Sequence, residues 1–139
     1  MSVRLTTALL AGAIVFASPA HASTLYDQLG AKPGLEKLVD RAVEIFTTDP
    51  RIAALFEDSN LDRHKRMLVE LFCQLSGGGC VYTGHTMVAA HKGLHLNTDS
   101  FNALVEDLKR AMDQSAIPFS TQNRLLALLA PMYRDVVTK

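Results

Sequence analysis

Apolar residues return every three or four positions along this chain, and each such stretch stops at glycine, proline, asparagine or aspartate. That rhythm admits helices separated by turns and leaves little room for a sheet. Leu35, Leu38, Val39, Ala42, Val43 and Phe46 form a first stripe from Gly34 that closes before Asp49-Pro50. A short turn from Arg51 to Phe56 follows, and Asp58-Ser59-Asn60 offers a cap for a helix from Leu61 to about Leu75. Consecutive glycines, Gly77 to Gly79, end that helix and mark a chain reversal. Met87, Val88, His91 and Leu94 predict another helix, with Asn97 to Ser100 as a break. Phe101, Leu104, Val105, Leu108 and Met112 mark the next. A last helix opens at Ser120-Thr121 after Pro118 and carries Leu125, Leu128, Leu129, Met132 and Val136. Nowhere is there sustained alternation with β-branched enrichment, so the predicted fold class is all-α. At 139 residues and 48% hydrophobic, the chain has the material for one well-buried core.

The beginning of the chain follows a different logic. Met1-Ser2-Val3-Arg4 precedes an apolar run from Leu5 to Ala17, then Ser18-Pro19-Ala20-His21-Ala22. A short positive region, an apolar core and a small-residue cleavage site are the parts of a secretory signal peptide. The run is short for a membrane span and a helix-breaking proline follows it, so a retained anchor is the weaker reading. The expected organisation is a signal peptide over 1–22 and one domain over 23–139, periplasmic or secreted and without membrane attachment once cleaved. Lys plus Arg and Asp plus Glu both number 14, and cleavage removes only Arg4 among them. So balanced a surface has no field to draw in nucleic acid or an anionic membrane. Cys73 and Cys80 are the only cysteines. In an oxidising compartment they form either a disulfide or two free thiols, and sequence leaves both open.

Histidines carry the chemistry. His64, Leu68 and Phe72 follow one another at intervals of four, along one helix face. Either His64 lines a cofactor pocket or it caps the stripe at the surface beside Arg63 and Lys65. His91 shares an inward face with Met87 and Leu94, as a hydrogen-bonded core residue or as a metal ligand. His91 and His95 have the four-residue spacing of a zinc clamp, with His85 as a third candidate, but no carboxylate or cysteine motif completes the set. Ser120, Glu70 and Asp107 form no nucleophile-base pattern, and no glycine loop follows a strand, which argues against hydrolase and nucleotide-binding functions.

Leu25-Tyr26-Asp27-Gln28-Leu29-Gly30, the helix up to Asp49-Pro50, Leu55-Phe56, Gly77-Gly78, Tyr82-Thr83-Gly84, Met87 and Ala90-His91-Lys92-Gly93-Leu94 resemble, in order and spacing, the truncated hemoglobins, nearest to their group 1. The resemblance covers nearly the whole chain after the export segment. It implies a small helical sandwich around heme b, with His91 as the proximal iron ligand and Phe56 against the porphyrin face. It places His64 nearest the bound ligand, Leu68 one turn later and Phe72 along an apolar path to the iron. Val43, Met87 and Tyr82 complete the heme surroundings, and Arg63, Lys65 or Arg66 pairs with the propionates. The implied partner is a diatomic gas, oxygen, nitric oxide or carbon monoxide. A redox partner, slow nitric-oxide dioxygenase or peroxidase-like activity, and a monomer or weak dimer stay open.

One departure from the family matters. Where relatives carry Phe-Tyr in the first long helix, this chain has Ala42-Val43, and Leu68 replaces a distal glutamine. Losing the tyrosine removes a hydrogen bond to a partly anionic ligand, worth about 1.5–3 kcal/mol. His64 then has two roles open to it: donating to the bound gas, or binding the iron as a sixth ligand suited to electron transfer or redox sensing. A heme-free helical interaction module or a zinc protein is the reading from a different class.

Overall fold

The computed structural model describes residues 22–138, so the predicted signal peptide lies almost wholly outside the described residues. Among them every regular element is helical, as the apolar spacing predicts. A four-residue helix, α1 (Leu25–Gln28), opens the fold. Its Thr24 cap accepts from Asp27 N–H while the Asp27 carboxylate accepts from Thr24 N–H, satisfying two end groups reciprocally. The long helix α2 (Ala31–Phe46) starts three residues before its apolar stripe. Gly34 allows this, because a side chain there would collide with the Leu29 carbonyl.

Helix α2 is the spine. Leu35, Leu38, Val39, Ala42, Val43, Ile45 and Phe46 are buried on it, and both α3 (Leu61–Ser76) and α5 (Thr98–Gln114) pack against it. A single 3₁₀ turn, Ala53–Phe56, links α2 to α3. Gly77, with φ of 87°, ends α3 in a left-handed cap that returns its N–H to the Cys73 and Gln74 carbonyls. Helix α6 (Phe119–Leu129) closes the core through Thr121, Gln122 and Leu125 and packs on α1 and α3.

Three further boundaries differ from the sequence expectation. Helix α4 is only Met87–His91, because the chain becomes extended at Lys92 and turns left-handed at Gly93 (φ 80°). Leu94 therefore lies beyond the helix and is 41% exposed instead of facing inward. Asn97, expected as part of a break, is the cap of α5: its side chain accepts from Ser100 N–H at 2.9 Å. The final helix is interrupted at Pro131 by a 3₁₀ turn, Ala130–Met132, before α7 (Tyr133–Val136). Helix α4 buries no residue of its own and packs mainly on α7, with Met87 half-buried against the core. Cys73 and Cys80 are joined, with their Cα atoms 5.6 Å apart.

Candidate functional site

Asn60 fixes the phase of α3 by accepting from Arg63 N–H at 2.9 Å, so His64, Leu68 and Phe72 fall along one face. Phe72 is buried, while His64 and Leu68 are half-buried. The imidazole of His64 meets the Phe56 ring edge-on, centroids 5.4 Å apart. Phe56 in turn stacks on Phe46 at 5.8 Å, one turn along α2 from buried Val43. His64 thus belongs to a string of aromatic contacts and is not a solvated cap. Burial, and then the nearby His91, hold its pKa below the usual histidine range, which favours the neutral ring.

His91 is the last residue of α4, a helix begun by Thr86, whose hydroxyl accepts from Ala89 N–H at 3.2 Å. Its Nδ1 lies 2.7 Å from the Met87 carbonyl oxygen. A carbonyl only accepts, so a neutral His91 carries its proton on Nδ1 and presents a free lone pair on Nε2. His91 is near enough to His64 for its charge to lower the His64 pKa. His95, by contrast, is exposed at φ 52°, beyond the end of α4. The two histidines do not share a helical face, and no group of three metal-ligating side chains occurs among the described residues. That removes the geometry on which the zinc reading rests.

Tyr82 donates its hydroxyl to the His85 carbonyl at 2.9 Å. Burial pushes its phenol above the usual range, and the positive charge of nearby Arg63 opposes this. Lys65 is engaged elsewhere, 2.9 Å from Asp40, which leaves Arg63 and Arg66 as the cations of the first α3 turns outside that pair. An open groove of about 830 Å³ near Lys37, Arg41 and Pro118 is lined by Lys65 but by no other residue of the expected heme surroundings.

Sequence reasoning missed Phe46 as the support of Phe56, and it missed Glu70 and Gln74, which bind the backbone of the loop after α3. Gln74 Oε1 accepts from Tyr82 N–H at 2.6 Å, and Glu70 Oε2 accepts from Thr83 N–H at 2.8 Å and from its hydroxyl at 2.7 Å. Their four-residue spacing on α3 was visible; their backbone partners carry no residue signature.

The bacterial-like globin family profile matches residues 24–138. A group 1 truncated hemoglobin of Synechocystis is 31% identical over 84% of this chain and 99% of its own length. Another, from Nostoc commune, is 31% identical over 76% of this chain and 88% of its own. The chain belongs to the truncated hemoglobin family. The Fe(III) crystal structure of the truncated hemoglobin of Tetrahymena pyriformis has the same fold, with a TM-score of 0.80 at 23% identity over 84% of this chain and all of that one.

Membership in the truncated hemoglobins implies heme, and the residues present fit it. The Met87 carbonyl selects the His91 tautomer whose Nε2 carries the lone pair that an iron ligand needs. Leu68 and Val69 on α3, Met87 on α4 and Leu104 on α5 are apolar yet only half-buried, the arrangement expected of side chains that a flat hydrophobic group covers.

Proposed function

We propose that this truncated hemoglobin holds heme b through His91 and binds a diatomic gas, oxygen foremost, on the face beside His64. The observation that carries the reading is the hydrogen bond from His91 Nδ1 to the Met87 carbonyl, in a chain of this family. Bound heme supplies an iron centre able to hold a diatomic molecule reversibly. The chain's own residues do the rest.

His91, oriented by the Met87 carbonyl, would hold the iron, and Phe56, braced by Phe46, would pack against the porphyrin. Val43, Leu68 and Phe72 would surround the gas with apolar groups and exclude water. His64 is the one polar side chain among these distal residues, and its neutral form can offer an N–H to the gas. Arg63, close to Tyr82, would pair with the propionates. A second reading has a specific observation behind it: a neutral His64 near His91 has a lone pair of its own, so both imidazoles could bind the iron and gate gas entry.

Export is part of the proposal. The residues over 1–22 have signal-peptide character, and the Cys73–Cys80 disulfide suits an oxidising compartment. Among the described residues no helix is long and apolar enough to cross a membrane.

The test is an absorption spectrum of the heme-loaded domain, dithionite-reduced, with and without carbon monoxide, for wild type and His64→Ala. A broad ferrous band that sharpens under carbon monoxide in both proteins supports an open gas site. Split low-spin ferrous bands that His64→Ala abolishes support the gated form. No Soret band from either protein would refute both.

A further inference from the structure

The segment that carries His91 is thinly attached. From Gly77 to Leu94 no residue is fully buried, Val81 is 75% exposed, and α4 reaches the fold mainly through α7. On its N-terminal side the segment is fastened to α3 at three consecutive places. Cys80 is bonded to Cys73, Tyr82 N–H to Gln74, and Thr83 to Glu70. Glu70 is held ionised by this arrangement, since the Thr83 hydrogen bonds keep its carboxyl below the usual range. Gly78 lies so close over Cys73 Sγ and the Tyr26 ring that a Cβ would approach both at 2.6 Å. Beyond the backbone itself, the disulfide is the one covalent link between the helix that carries His64 and the loop that leads to His91.

We propose that the Cys73–Cys80 disulfide is a redox-sensitive strap, whose reduction by a dithiol frees the Gly77–Thr86 loop and weakens the hold of His91 on heme. This rests on the reading of His91 as the heme-binding residue. The strap itself is independent of it.

The two sulfurs differ in access. Cys73 is 1% exposed beneath Gly78, whereas Cys80 is half-buried at the loop. A thiolate of the reductant attacks Cys80 Sγ, the Sγ–Sγ bond breaks, and its electron pair leaves with Cys73 sulfur, which takes a proton. The second thiol of the reductant then displaces Cys80 as a thiol and closes its own disulfide. Two electrons and two protons pass to the protein, and the dithiol is oxidised. Once the bond is open, the loop keeps the Gly78 N–H bond to the Cys73 carbonyl, the packing of half-buried Tyr82 and the exposed hydrogen bonds to Gln74 and Glu70, and exposed bonds exchange readily with water.

The experiment compares the heme-loaded ferric protein, oxidised or reduced by a dithiol that is then removed by gel filtration without oxygen, with the Cys73→Ser/Cys80→Ser double variant. Heme loss to an excess of heme-scavenging apoglobin is followed in the Soret band, and amide hydrogen exchange is followed over residues 78–92. The reduced protein and the double variant are expected to lose heme on the order of tenfold faster than the oxidised protein. Faster exchange should be confined to that segment, and dithiol should leave the double variant unchanged. Equal heme loss and equal exchange in the oxidised and reduced proteins would overturn the strap, as would a dithiol effect that persists in the double variant. If exchange rises on reduction while no form takes up heme, the strap stands and the heme reading fails.

Discussion

Asp107 is 0% exposed, and neither carboxyl oxygen has a hydrogen-bond donor; Arg110 and Arg51 stand off at 3.6 and 3.8 Å. Burial, then the charge of neighbouring Asp49 and a hydrogen bond to it, raise its pKa, while the two arginines oppose. Two carboxylates cannot donate to each other, so a proton on Asp107, given to Asp49, resolves the arrangement. Asp49 goes the other way, to about 2, held first by its hydrogen bonds with Arg51. The signs follow. A raised carboxyl means folding takes up a proton, so the contribution of Asp107 is full in acid and is lost as pH rises through its folded value. The contribution of Asp49 is present above about pH 4 and is lost as pH falls toward 2. Asp107→Asn, a neutral stand-in that can still donate, is expected to raise stability at pH 7 by on the order of 1 kcal/mol, with the gain vanishing toward pH 4. Melting curves at the two pH values check this, and a lower melting temperature for the variant at pH 7 would mean that Asp107 is ionised in the fold. None of this was legible in the sequence, where Asp107 was one acid among 14. His64 and His91 were legible, because a titratable ring on an apolar stripe stands out at helical spacing; the Met87 carbonyl that sets the tautomer of His91 was not.

The helices themselves were largely readable, since burial of one face dictates their period, and α2, α3 and α5 lie where their stripes predict. What the stripes could not give was where a helix stops. Leu94 continues the period of α4, yet the chain leaves the helix at Lys92 and turns at Gly93, and the period of Met132 and Val136 hid the break at Pro131. Helix α1 was missed because four residues are too few for a period. Its signal was the Thr24/Asp27 capping box. Two substitutions test how ends are held. Asn60→Ala removes the acceptor for Arg63 N–H and should cost about 1 kcal/mol. Gly78→Ala forces a methyl group against Cys73 Sγ and the Tyr26 ring and should cost about 1–3 kcal/mol. Denaturant unfolding of the two variants gives both numbers, and a neutral Gly78→Ala would show that the loop can shift away from α3 at little cost.

For the whole molecule, the division between a spine and a loosely held segment is the main structural fact. Helix α2 gathers α3 and α5 around a continuous core, while α4 with His91 touches that core only through half-buried Met87. Family resemblance anticipated a helical sandwich and hydropathy alone a one-domain helical protein; neither foresaw how thinly the segment that carries His91 is held. Expression in a Gram-negative host should yield a periplasmic protein whose first residue by N-terminal sequencing is Ser23, and recovery of the uncleaved chain in the membrane fraction would favour an anchor. The most direct test of the proposed function is heme binding by His91→Gly with and without free imidazole. The expected result is a Soret band that is weak or shifted in the variant alone and returns toward the wild-type position when imidazole fills the place of the side chain. A variant whose ferric and ferrous spectra match wild type without imidazole would contradict His91 as the residue that holds the iron.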